Sequence, residues 1–136
     1  MMFGYTRSEL LGKRVEMLMP NVIARLHGVF ISKYLQTMKT SIINTETLLF
    51  GKHKTKYIFP FLAFIKPLED STLQTLHFSC FVKIEKMLNT VGYIMTLDDG
   101  HLLEMSCGVK QLLGVTLENL VIDKKVTSWV DISFIE

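Results

Sequence analysis

Apolar residues recur at intervals of three and four along residues 22–38: Ile23, Leu26, Phe30, Tyr34 and Met38, with His27 on the same stripe. That period predicts one long amphipathic helix. Asn21 is placed to cap its N-terminus, and Lys33, Gln36 and Lys39 mark its solvent side. Downstream the period changes to two. Three strands are predicted, over 45–52, 57–67 and 76–84. In the second, Phe59, Phe61, Ala63 and Ile65 share a face. In the third, Phe78, Cys80 and Val82 alternate with His77, Ser79 and Lys83. Pro60 removes a ladder donor, which places it at an edge, a bulge or a strand start.

The flanks are shorter elements. Thr6 with Glu9 forms a capping box, so a short helix starts there and stops at Gly12. Residues 15–20 are a second short apolar stretch, ended by Pro20. After the third strand a connector begins near residue 86, and a fourth strand is expected over 92–96. Asp98-Asp99-Gly100 signals a tight turn into a fifth strand over 101–105. Residues 109–113 read as a short helix stopped by Gly114. Residues 116–136 have no clear period, and 126–135 read as a strand or an extended segment.

Composition narrows the class. The chain has 136 residues, 49% hydrophobic, with nine Phe and eight Met, enough for one compact core and too little for two full-sized ones. Net charge is +2 with the signs mixed, which argues against nucleic acid or an anionic surface as partner. The longest apolar run, 57–65, is far short of the ~20 residues a membrane helix needs. Charged residues interrupt the start, so no signal peptide is expected. A cytoplasmic chain is the expectation, whose parent protein can still be membrane-bound. The two cysteines, Cys80 and Cys107, have no metal-ligand spacing and read as small buried residues. No Gly-rich phosphate loop, nucleophile triad or carboxylate pair is present, so no enzyme is expected.

Several motifs share an order and spacing with a known family. Phe3-Gly4-Tyr5-Thr6, Glu9-Leu10 and Gly12 are followed by Leu18-Met19-Pro20, then His27, Phe30 and Tyr34. Gly51-Lys52, Lys54 and Phe59-Pro60 come next. Over 3–84 this resembles the second half of a PAS domain. Tyr93-Ile94, Thr96, Asp99-Gly100, Leu102-Leu103 and Leu112-Leu113-Gly114 resemble the first half of another. Gly4, Thr6 and Leu10 also recur as Gly114, Thr116 and Leu120, offset by 110 residues, as in a tandem array. The organisation implied is a C-terminal PAS portion at 1–86, a connector at 87–92, and an N-terminal portion of a second unit at 93–136.

The resemblance implies an α+β fold, an antiparallel sheet with helices on one face. In that family the first strand lies beside the last, so residues 93–113 are expected to pair with the third strand and complete one sheet in circularly permuted order. Ile84 stands where many members carry an Asp that couples the sheet to a following helix, which departs from the usual output mechanism.

Site expectations follow. His27 matches the proximal ligand of heme-binding members; the plainer reading is a packed histidine with one hydrogen bond. No cofactor is the simplest expectation, and heme through His27 the alternative. Flavin photochemistry would need a cysteine just before the long helix, and residues 15–21 have none. His27, Phe30, Tyr34, Phe59, Phe61, Ala63, Ile65, Phe78 and Cys80 could line a pocket between helix and sheet, or simply fill a core. Lys52, His53, Lys54 and Lys56 read as a solvated hairpin tip or a phosphate site. The functions weighed are a non-catalytic sensory or protein-interaction module, a heme-linked sensor, and an assembly scaffold. Partners would be another protein, other PAS units, or a small ligand. An apolar sheet face left uncovered favours assembly.

Overall fold

The computed structural model describes residues 2–70, 75–84, 91–116 and 118. The protein is α+β, with one three-stranded antiparallel sheet, a second small sheet and helices. None of the described helices is long and apolar enough to cross a membrane.

Helix α1, Arg7–Leu10, begins on the expected capping box. The Thr6 hydroxyl accepts from the Glu9 N–H at 3.3 Å, and the Glu9 carboxylate accepts from the Thr6 N–H at 2.9 Å. A 3-10 helix, Val15–Leu18, leads to Pro20. Helix α2 is Asn21–Thr37. Asn21 is its first helical residue rather than its cap, which corrects the expectation. Pro20 holds the cap position and offers no side-chain acceptor.

The buried stripe of α2 also differs from the expected one. Ala24, His27, Ile31 and Tyr34 are turned inward, whereas Ile23, Leu26, Phe30 and Met38 are exposed. The helix is apolar over more of its circumference than one stripe needs. Partners therefore choose the face: Tyr34 packs on Phe78 and His27 meets Glu16.

Strands β1 (Glu46–Lys52), β2 (Ile58–Asp70) and β3 (Thr75–Ile84) lie in the order β1-β2-β3. The register sets Leu49 against Phe61, Ala63 against Val82, and Ile65 against Cys80. Directly opposed residues share a face. Phe61, Ala63, Ile65, Phe78, Cys80 and Val82 therefore lie on one side, the side that Tyr34 of α2 touches through Phe78. Leu48, Phe50, Leu62, Phe64 and Phe81 lie on the other. Pro60 is at the start of β2, where β3 does not reach, because Ile84 is opposite Phe61.

Strands β4 (Ile94–Thr96) and β5 (Leu102–Met105) pair with each other and form a separate two-stranded sheet. The expected completion of the large sheet by residues 93–113 does not occur: β4 pairs with β5, not with β3. The hairpin has its own apolar centre, Leu102, Met105 and Val109, packed with Ile94 and Tyr57. Helix α3, Cys107–Leu113, closes over it and ends at Gly114. Ser106 forms a parallel bridge to Ile58. The other bridge of Ile58 is to Lys52 of β1, so Ser106 occupies the opposite edge of β2, just beyond the end of β3.

Both hairpins turn by one plan. In the β4–β5 loop, Leu97 N–H donates to His101 O at 2.8 Å and Gly100 N–H to Leu97 O at 3.0 Å, with Gly100 at φ +82°. In the β1–β2 loop, His53 N–H donates to Tyr57 O at 2.9 Å and Lys56 N–H to His53 O at 2.7 Å, with Lys56 at φ +72°. Each is a three-residue loop whose last residue is left-handed. Glycine takes that conformation freely and lysine does not. Lys56→Gly is therefore expected to stabilise the fold by about 1 kcal/mol. Urea unfolding should show a higher midpoint at unchanged slope.

Candidate functional site

The residues singled out in the sequence separate into two groups. At one end of the sheet Phe59 and Phe61 join Phe3, with ring centroids 5.1 and 5.7 Å from Phe3 and 6.0 Å from each other. Gly51 of β1 makes this possible: a Cβ there would be 2.6 Å from Phe3 Cε1. At the other end Tyr34 meets the Phe78 ring edge-on at 5.9 Å. Ala63 is buried between these ends and Ile65 is half-buried.

Phe30 and Cys80 do not line an enclosed space; both are exposed. Cys107 is exposed as well, so neither cysteine is the small buried residue expected. Cys80 lies on β3, which among the described residues is paired on one side only. Enough protein still surrounds its thiol for desolvation to push its pKa up.

The basic hairpin tip is exposed at Lys54, Thr55 and Lys56, and is also tied to the N-terminal segment. The Lys54 N–H donates to Phe3 O at 2.9 Å, and its ammonium lies 5.6 Å from the centroid of the Tyr5 ring. The same ammonium pairs with Glu9. That hydrogen bond, helped by the Thr6 N–H, lowers the Glu9 carboxyl to about 2. The clasp from α1 to the β1–β2 loop thus keeps its charge through the ordinary carboxylate range.

His27 lies on α2 with its Nδ1 3.2 Å from Glu16 Oε1 of the 3-10 helix. Glu16 is also held by Arg14 at 3.0 Å. The Arg14 hydrogen bond comes first among the causes that bring the Glu16 carboxyl to about 2, so a carboxylate faces His27. Among the described residues no group of three or more His, Cys, Asp and Glu is arranged to hold a metal.

A buried charged arrangement was not among the expected sites. Glu104 of β5 is only 4% exposed. Its Oε2 accepts from the Asn21 N–H at 2.7 Å, at the first residue of α2. Its Oε1 lies 2.7 Å from Lys52 Nζ, which also donates to Asn21 Oδ1 at 2.7 Å. The carboxylate thus caps α2, neutralises Lys52 and holds the β4–β5 hairpin against both. The positive end of a 17-residue helix adds to its stabilisation. The signal in the sequence was faint: an acid between Leu103 and Met105 in an apolar strand. Ser106 is a second missed residue. It is wholly buried at the N-cap of α3, yet its hydroxyl accepts from the Tyr93 N–H at 2.8 Å instead of capping the helix.

These arrangements bind elements together. No protein-family model matches the chain.

Glu104→Ala leaves the Lys52 ammonium without its carboxylate and the Asn21 N–H without its acceptor. It is expected to cost roughly 3 kcal/mol, and Glu104→Gln, which can still accept from Asn21, less. A double-mutant cycle with Lys52→Met in urea unfolding should show coupling between the two positions.

Proposed function

We propose that the chain is a PAS-type sensory or protein-interaction module with no catalysis of its own. In this reading it carries the second half of one unit and the first half of the next, and works in the cytoplasm. The observation that carries it is the apolar face left open between α2 and β3. Val82 is 43% exposed, Ile84 56% and Phe30 49%, all on or beside the face that α2 covers only in part. Exposed apolar surface of this kind marks a place for a partner or ligand. Tyr34 on Phe78 is the point where occupancy of that face would be felt by α2. The same open face favours assembly, so a scaffold role belongs to this reading as its limiting case. The separate docking of the β4–β5 hairpin supports two half-units over one permuted domain.

An apolar fluorescent probe such as anilinonaphthalene sulfonate tests the face. Saturable enhancement is expected on the native chain while it still melts cooperatively. Phe30→Glu with Val82→Glu should remove the enhancement and preserve the melt. Enhancement unchanged in that variant would show that the probe binds elsewhere and end the reading.

One observation favours a heme-linked reading as the second. A carboxylate on Nδ1 is the contact that orients many metal-bound imidazoles, and it leaves Nε2 as the nitrogen for an axial bond. Heme held there would supply gas or redox sensing, with His27 as ligand and Glu16 fixing the ring. Hemin added to the purified chain should then give a Soret band that His27→Ala loses. Identical spectra from the two proteins would remove this reading.

A further inference from the structure

β3 is an edge strand. β2 pairs with it along its whole length, Thr75–Ile84, and no described strand lies on its other side. Edge strands are normally defended by proline, by bulges or by several charges. β3 has no proline, its register to β2 is unbroken, and Lys83 is its one lysine. Its side chains face water on both sides of the sheet: Ile84 on one, and Phe81, 64% exposed, on the other.

We propose that β3 pairs antiparallel with β3 of a second copy of this chain, about a two-fold axis at Phe81. The sequence of the strand selects that register. With the axis there, Phe81 meets Phe81 of the second copy, Cys80 meets Val82, Phe78 meets Ile84, and Ser79 meets Lys83. Apolar residues meet apolar ones, polar residues meet polar ones, and no like charges are opposed. Moving the axis by one residue destroys the match. Centred on Cys80, it sets Phe81 against Ser79 and His77 against Lys83, two bases. Centred on Val82, it sets Phe81 against Lys83. Directly opposed side chains are ~5 Å apart at Cβ, so these matches and clashes decide the pairing.

The contact is isologous. It closes at two copies, joins two three-stranded sheets into one of six strands, and leaves neither β3 edge open. It goes beyond the functional reading above and does not need it, since a monomer could sense a ligand and a dimer could sense none.

Sedimentation of the full chain over a wide concentration range tests it. The native chain is expected to be a dimer. Phe81→Lys and Phe81→Glu each place like charges across the axis, and each should be monomeric alone. Because Phe81 is largely exposed within one copy, both should keep the native circular dichroism and melt. Mixed in equal amounts, the two variants should recover a dimer, because lysine now faces glutamate. A native chain monomeric at every concentration, a dimer that survives Phe81→Lys, or a mixture that stays monomeric overturns the proposal. If the charged variants fail to fold, Phe81→Cys with Cys80→Ser and Cys107→Ser replaces them. Mild oxidation should then link two copies through residue 81, and absence of that link overturns the proposal equally.

Discussion

One carboxylate holds the parts of this chain in place. Glu104 is nearly inaccessible, and a lone buried carboxylate would cost several kcal/mol. The fold tolerates it because three groups converge on the same point: the Lys52 ammonium, the Asn21 N–H and the positive end of α2. Lys52, Asn21 and Glu104 belong to three different parts of the molecule. Lys52 ends β1, Asn21 begins α2, and Glu104 lies in the hairpin. Removing any partner would leave the others desolvated and unmatched, so the docking geometry is dictated electrostatically as much as by packing. Pro20 makes α2 dependent on it, because the cap position offers no acceptor of its own.

The rest follows from a shortage of cover. Half of the residues are hydrophobic, yet one long helix lies over three strands, of which the longest has 13 residues. The tightest apolar packing is therefore not between α2 and the sheet. It is at Leu102, Met105 and Val109, between the hairpin, α3 and Tyr57 at the mouth of β2. The far half of the sheet, toward β3, keeps apolar side chains in water. Hydrophobic burial is roughly proportional to the area removed from water, so such a surface retains its drive to associate.

Local rules were legible in the sequence. The capping box of α1, the alternation in β2 and β3 and the Asp-Asp-Gly turn depend on neighbours within a few residues, and their chemistry is written there. Long-range choices were not. Two apolar stripes compete on α2, and distant partners such as Phe78 for Tyr34 and Glu16 for His27 decide between them. Asn21 has the composition of a cap, but Glu104, 83 positions away, takes the role and moves the helix start by one residue. Cys80 alternates correctly with its apolar neighbours and is nevertheless exposed, since alternation gives the face and not whether anything covers it. Lys56 adopts a glycine conformation that a search for Asn-Gly or Asp-Gly turns overlooks. The strand residues of the expected pocket share one face, whereas Phe30 is exposed, and the aromatic rings divide into Phe59 and Phe61 with Phe3 at one end and Tyr34 with Phe78 at the other.

The unequal lengths of the strands explain why the hairpin missed β3. β2 starts three residues before β3 ends opposite it, so Ile58, Phe59 and Pro60 have an edge that β3 does not use. Pro60 has no N–H to offer there, which makes a long ladder on that edge unfavourable. A single bridge is still possible, and Ser106 makes it at Ile58. That one contact brings β5 to the end of β1, where Lys52 waits for Glu104. Lys52 is the cation that stands beside the N-terminus of α2, and Glu104 meets both there. A single acid thus ties the hairpin to the short edge, and no described strand pairs with the long one.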